Sequence, residues 1–314
     1  MVPVFRTEEH LGACLSSLIH QTFTDVEVIV VDDASPVGSA AEIIRGLGDE
    51  RITMIRHVAN LGLMQARHTG VRAARGSYVG FVDSDDDVDT RFLEVLHDAA
   101  TQHRADLAQC AYVEHGMDGT SRCINRGGER HDLRGDEVRG AMLEGKISNN
   151  LCNKLVKTEL LLGVYDDLSA LSTRVDYGED LVTVFSIMCR ADRFVHVPDP
   201  VYRYRQHDTS MTGTSNADAL FAKVRSLSWI YDQIRPILTQ LAQPPDLVEA
   251  FSTREFLEPI VDHLKHAREQ GAVGPVGSPM STAELGMLGA IVADAYGMLD
   301  TRTNAGDHST SGPQ

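Results

Sequence analysis

The chain is poor in tryptophan, with one, and in lysine, with five, and holds only five cysteines among 314 residues. Basic charge is in deficit as well: 29 lysines and arginines face 45 aspartates and glutamates, a net charge of −16. A surface this acidic lacks the basic face that general binding to nucleic acid or anionic membranes requires. The cysteines (Cys14, Cys110, Cys123, Cys152, Cys189) are scattered and never paired as C-x-x-C. Neither a disulfide framework nor a zinc site is suggested, so a cytoplasmic location is expected, with peripheral attachment at the inner membrane face as its variant. No basic segment followed by an apolar core opens the sequence, so no signal peptide is expected. The most apolar late segment, "AELGMLGAIVADAYGML", carries Glu284 and Asp294 and is too short and polar to span a bilayer. The expectation is a soluble protein.

What is present is alternation. Short β-branched runs ("VPVF", "VEVIVV", "RITMIRH", "SYVGFV") alternate over the first hundred residues with segments of helical periodicity at about 8–20, 39–47 and 63–74. This β-α-β order predicts an α/β fold with a mostly parallel sheet flanked by helices. A helix over 91–103 and a strand "ADLAQCAYVEH" follow, then an exposed Gly- and Arg-rich hairpin or loop over 116–135. A helix starting near Gly178, two short strands "RFVHVP" and "VYRYRQH", and a polar loop "DTSMTGTSN" come next. Beyond about residue 217 helical segments with Pro/Gly-rich breaks continue, and the last residues are expected to be disordered.

In sheets of this kind ligands bind beyond the carboxyl ends of the strands. Two acidic clusters stand there, "VDDAS" and "VDSDDDVD". The second places Asp83, Asp85, Asp86, Asp87 and Asp89 on one strand tip, where like charges repel. Three readings compete. One is a solvated loop. Another is a calcium loop of the EF-hand type, with carboxylates at positions 1, 3 and 5 and Glu94 at position 12; position 6 is Val88, however, where the turn needs glycine, and a strand rather than a helix precedes it. The third is a divalent-cation site, in which alternate carboxylates leave coordination positions for phosphate oxygens.

The neighbours of that stretch bear on the choice. "SLIHQTFTDVEVIVVDDAS", "NLGLMQARHTGVRAARGSYVGFVDSDDDV", "NKL", "YGEDLVTVF" and "YRYRQHDTSMT" occur in this order over roughly the first 210 residues. In order and spacing they resemble the family 2 glycosyltransferases of the GT-A fold. The resemblance implies a nucleotide-sugar donor, Mn²⁺ or Mg²⁺, and inversion at the transferred sugar. It implies that Val4 and Phe5 wall the base and that Asp33 accepts from a base N–H, which would mean a uracil or thymine nucleotide. Asp33 or Ser35 capping the next helix is the alternative. Arg67 would face the nucleotide and the acidic motif. Asp83, with Ser84 beside it, would lean on the donor and the metal, and Asp85 would be the direct ligand. Asp180 would be the general base with Glu179 assisting, against the alternative that both acids merely stabilise a helix N-terminus. His207 would reach the metal, against a structural or exposed histidine. Lys154, Arg203 and Arg205 are further candidates for phosphate or acceptor contact.

The resemblance divides the chain into a donor half (1–105), an acceptor and catalytic half (106–212), a helical extension (213–300) and a tail (301–314). Departures are Cys152 where tryptophan is usual before "NKL", and the absence of Q-x-x-R-W, which disfavours a processive synthase. The partners implied are a UDP-sugar and an acceptor that could be a saccharide, lipid carrier, peptide or secondary metabolite. Dimerisation through the C-terminal helices is a further expectation. The rival readings are a sugar-1-phosphate nucleotidyltransferase, disfavoured by the lack of a Gly-rich basic loop after the first strand, and a non-catalytic nucleotide-sugar-binding protein.

Overall fold

Strand β2 (Val28–Asp32) explains the first sheet, because its side chains alternate between two apolar layers. Val28 and Val30 join the main core with Leu11 and Leu15, while Ile29 and Val31 pack with Ala66 on the other face. A strand buried on both sides reads as an unbroken β-branched run, which is how it stands in the sequence. Its neighbours are β1 (Val2–Val4) and β3 (Ile52–Arg56), both parallel to it. Helices α1 (Glu8–Ile19), α2 (Ala40–Leu47) and α3 (Leu63–Ala73) make the connections. The computed structural model describes residues 1–36, 38–169, 174–175, 177–207 and 216–269.

The second sheet departs from the mostly parallel arrangement expected from the strand–helix alternation. It holds β4 (Tyr78–Gly80), β5 (Asp87–Val88), β6 (Leu107–His115), β7 (Ser121–Ile124), β8 (His131–Arg134), β9 (Lys154–Lys157) and β10 (Arg193–Arg205). Its path runs β4-β9-β6-β10-β5, with β7 added to β6 and β8 to β10. Only β6 and β10 are parallel; the other pairs are antiparallel. The physical reason is visible at β6 and β7, which a short turn at Gly116–Thr120 joins, whereas parallel neighbours need a long crossover. The parallel character expected from the first hundred residues belongs to β1–β3. Met1 ties the two sheets: its amino group donates to the Gly80 carbonyl (2.9 Å), and the Val82 amide donates to the Met1 carbonyl (3.1 Å).

The two strands expected at 193–207 are one, β10. Register against β6 shifts between Val197 and Pro200 and again before Tyr202. Pro198 and Pro200 have no amide hydrogen to give the ladder, so a bulge forms there. Helices α4 (Phe92–His103), α5 (Asp136–Leu143), α6 (Thr158–Ser169) and α7 (Glu179–Arg190) complete this unit, which spans Met1–Thr214. A cavity of about 520 Å³ opens at the amino ends of β2 and β4, among Phe23, Glu27, Tyr78, Phe92 and His97. It lies at the strand ends opposite the acidic clusters.

The second unit begins at Ser215. Its described part consists of α8 (Ala217–Leu238), α9 (Pro245–Ser252) and α10 (Glu258–Glu269), the last two joined by a π-turn at Thr253–Leu257. Phe256 packs edge-on to Tyr231 and Phe251. The polar loop at 208–215 and the tail expected to be disordered lie outside the described residues. Among the described residues no helix is long and apolar enough to cross a membrane.

Asp106, just before β6, fastens three strands. Its carboxylate accepts from Lys157 Nζ (2.7 Å) and from the amides of Asp192 (2.9 Å) and Arg193 (3.0 Å). Burial works to raise its pKa, but these bonds outweigh it and hold the group below the usual carboxylate value. A depressed folded pKa gives stability that is full above the unfolded value and is lost as pH falls through the folded one. Asp106→Asn should therefore cost about 1–3 kcal/mol at pH 7. The gap to wild type should close in acid, as read by urea unfolding between pH 3 and 7.

Candidate active site

The acidic tip after β4 is a tight turn. The Asp86 amide donates to the Asp83 carbonyl (3.0 Å), which puts Ser84 and Asp85 at the corner. Ser84 is buried and shares a hydrogen bond with Thr7 Oγ1 (2.6 Å) from the β1–α1 loop. Asp83 and Asp85 keep part of their carboxylates in solvent, with side chains 30% and 23% exposed.

Arg67, on α3, points at this turn and is almost wholly buried. Its Nη2 donates to Asp83 Oδ1 (3.1 Å), and its Nη1 donates to Glu179 Oε1 (3.1 Å) and to Asp180 Oδ1. One planar guanidinium thus joins the acidic turn to the first turn of α7. Such a fork suits carboxylates at fixed angles in a way a lysine ammonium does not. Two glycines permit the geometry. Gly62, at φ +92°, opens α3, and Gly178, at φ +79°, opens α7 in the left-handed region that L-residues rarely adopt. Asp180 Oδ2 accepts from the Leu151 amide (3.1 Å), so both of its oxygens are oriented.

Charge in this cleft is not balanced. Three carboxylates face one guanidinium, and Asp85 and Asp86 stand beside them. Burial, then Asp180, pushes Glu179 up to about 7 against the pull of Arg67. Burial, with Asp180 and Asp85 close by, pushes Asp83 up to about 6, again against Arg67. Burial, then Asp83 and Asp85, pushes Asp86 up to about 8. The same acids hold Arg67 well above its ordinary value in spite of its burial.

This excess of negative charge is the test of whether a hard cation fits. Among the described residues no three His, Cys, Asp or Glu side chains converge as a ready-made metal cage. A Mg²⁺-type ion, however, usually takes one or two carboxylates and completes its shell with phosphate oxygens and water. Asp83 and Asp85 supply such oxygens in an uncompensated acidic field, so the donor set fits. His207 lies beside this set: its Nε2 is 2.7 Å from Asp85 Oδ2, and its ring lies 5.2 Å from that of His10.

Two expected donor contacts take other positions. Val4, expected to wall the base, is packed in the core, because alternation along β1 turns its side chain inward. Phe5 is the member of that pair that faces solvent, with Arg6 against its ring. Asp33, expected to meet a base N–H, is buried and occupied. Oδ1 binds His57 Nδ1 (2.6 Å) and the Leu61 amide (2.8 Å), and Oδ2 takes the Gly62 amide (2.8 Å). It organises the loop that leads into α3. Asp32 is likewise engaged, by Arg56 (2.8 Å) and the Ser35 amide (2.8 Å). Lys154 is wholly buried and donates to Ser148 Oγ (2.8 Å) and Asn153 Oδ1 (2.9 Å). Burial lowers it to about 7.

The sequence reading missed what the remaining aspartates do. Arg203 donates to Asp87 (2.9 Å) and Asp89 (3.1 Å), and Arg205 Nε donates to Asp87 (2.6 Å). Tyr202 donates to Asp86 Oδ2 (2.5 Å) and accepts from the Asp83 amide (3.3 Å). Both strand-exit arginines, read as phosphate or acceptor contacts, are engaged with the acidic loop. The signal available was the matched alternation of "YRYR" and "DDDVD", which an antiparallel pairing would bring face to face.

Residues 1–147 match Glycosyl transferase family 2. Over 120 residues the chain is 40% identical to the uncharacterized glycosyltransferase EpsJ of Bacillus subtilis (strain 168), covering 38% of this chain and 34% of EpsJ. The chain thus spans about a third of the length of that relative. Its fold is similar to that of S. aureus TarS (residues 1-349) in complex with UDP-GlcNAc, with TM-score 0.63, 17% identity, and 94% of this chain and 80% of TarS covered. It is also similar to the mannosyltransferase PcManGT from Pyrobaculum calidifontis in complex with GDP-Man and Mn²⁺. There the TM-score is 0.53 and the identity 16%, with 93% of this chain and 79% of PcManGT covered. The fold is GT-A.

Replacing Arg67 by methionine should leave three buried or half-buried acids without their counter-charge, costing about 3–5 kcal/mol at pH 7.5. Carboxyl pKa values raised in the folded state withdraw stability as pH climbs from the unfolded value through the folded one. The deficit should accordingly shrink as pH is lowered from about 7 towards 4.5. Denaturant melts across that range read both the size and the slope.

Proposed function

We propose that this chain, whose residues 1–147 match glycosyl transferase family 2, is an inverting glycosyltransferase that moves one sugar from a nucleotide-sugar to an acceptor hydroxyl. The observation that carries the proposal is the guanidinium of Arg67 bonded to Asp83 on one side and to Asp180 on the other. Inversion needs a base on the face of the sugar opposite the leaving diphosphate. A donor-side acid and an acceptor-side acid held on one cation supply that opposition. Asp180, with its oxygens oriented by Arg67 and the Leu151 amide, would take the proton of the attacking hydroxyl. Glu179 would set the local charge rather than meet the acceptor, because it is buried against Arg67.

Asp83 and Asp85 would hold Mn²⁺ or Mg²⁺, which when bound supplies the positive charge that a departing diphosphate requires. His207 would steer Asp85 through their hydrogen bond. Phe5 would offer its exposed ring to the base, and Ser84 would brace the turn from beneath. A UDP-sugar is the donor favoured by the likeness to TarS with UDP-GlcNAc, and the likeness to PcManGT with GDP-Man makes guanine the competitor.

Thermal shift with UDP-, dTDP- and GDP-sugars, with and without Mn²⁺, tests the donor site; stabilisation by at least one of them only when Mn²⁺ is present is expected. Once an active donor is known, Asp180→Asn and Asp85→Ala should each lower the rate of donor turnover by about 10²–10⁴-fold. Near wild-type turnover in both variants would sink the proposed roles.

A further inference from the structure

The acidic turn has a second set of partners that nothing in the transfer chemistry calls for. Tyr202 is fully buried on β10, and Asp86 is 2% exposed. The Tyr202 hydroxyl donates to Asp86 Oδ2 (2.5 Å) and receives the Asp83 amide (3.3 Å). The other oxygen of Asp86 accepts from the Arg205 amide (2.8 Å). Two residues further on, His207 meets Asp85. Cα register agrees with this, pairing Tyr202 with Val88 and Arg203 with Asp87.

We infer that Asp86 and Tyr202 form a positioning clasp that fixes the Asp83–Asp85 turn and brings His207 to Asp85, and so sets how tightly the cleft takes a divalent cation with a nucleoside diphosphate. The inference rests on the donor-site reading above. Neither residue touches the ligand: Asp86 has both oxygens committed to β10, and Tyr202 lies beneath the turn, edge-on to Phe92 at 5.9 Å. The clasp acts on two atoms that the ligand's fit depends on. One is the Asp83 backbone, bound by the Tyr202 hydroxyl. The other is the Asp85 carboxylate, bound by the histidine that the pairing of β10 carries into place. Burying a carboxylate beside two others is costly, and a solvated Asp86 would avoid that cost. A purely structural purpose would be met as well by an apolar pair of the same volume.

The test is calorimetry and thermal shift of the full chain with Mn²⁺ and UDP, and with GDP in parallel. Tyr202→Phe removes one oxygen and keeps the ring against Phe92. Its half-saturation for Mn²⁺ at fixed nucleotide should rise about tenfold or more, as for other groups that orient metal ligands. Its ligand-free unfolding midpoint should fall, because Asp86 Oδ2 and the Asp83 amide lose a partner, so half-saturation is read well below that midpoint. Asp86→Ala should show the same shift, and so keeps the test open if Tyr202→Phe fails to fold. Asp86→Asn keeps an acceptor for the Arg205 amide and should remain within about threefold of wild type. A wild-type half-saturation in Tyr202→Phe or Asp86→Ala, with or without a lowered midpoint, overturns the clasp and leaves the donor site standing. Failure of wild type itself to bind either nucleotide with Mn²⁺ overturns the donor-site reading, and the clasp with it.

Discussion

The site depends on one buried cation. Arg67 has almost no solvent around it, and Asp83, Glu179 and Asp180 sustain its charge. Removing a guanidinium from water costs several kcal/mol, which its acids return only when the fork meets them in good geometry. That requirement reaches outward. α3 must start at Gly62, which the Asp33 carboxylate holds by its amide; α7 must start at Gly178; and Asp180 must be turned by the Leu151 amide. Loops distant in sequence are therefore constrained by one side chain.

The crowding of aspartates at 83–89 follows from a division of labour. Asp83 and Asp85 face the cleft. Asp86, Asp87 and Asp89 face β10, where Tyr202, Arg203 and Arg205 are spaced to receive them. The outer ion pairs are partly exposed, and each adds little to stability by itself. Their value is register: antiparallel pairing of β5 with β10 sets Arg203 opposite Asp87, from where it also reaches Asp89, while Arg205 shares Asp87. Three of the five acids secure the loop that presents the other two.

How much of this the sequence disclosed depended on range. Strands β1–β4 and their helices were legible because β-branched runs and helical periods are local signals. The antiparallel second sheet was not, since β9 finds β4 and β6 across long intervals that no local pattern marks. Within the candidate site, the family resemblance pointed to Arg67, Asp83, Asp85 and Asp180, and the fold brings these four together. That Asp33 would be consumed by His57, Leu61 and Gly62 could not be read, because three donors from another loop decide it. Val4 illustrates the opposite failure. Alternation along a strand that short gives no phase until the neighbouring strand supplies one.

The region matched to the family ends at residue 147, yet the cleft does not. Residues 1–147 contribute Arg67 and the acidic turn, which without later residues would leave a guanidinium facing one carboxylate and an unsecured loop. Glu179 and Asp180 complete the charge pattern, and Tyr202 to His207 complete the turn. Residues 1–147 are thus electrostatically unfinished by themselves, and side chains of α7 and β10 finish them. A change at the start of α7 would therefore be felt at the acidic turn through Arg67.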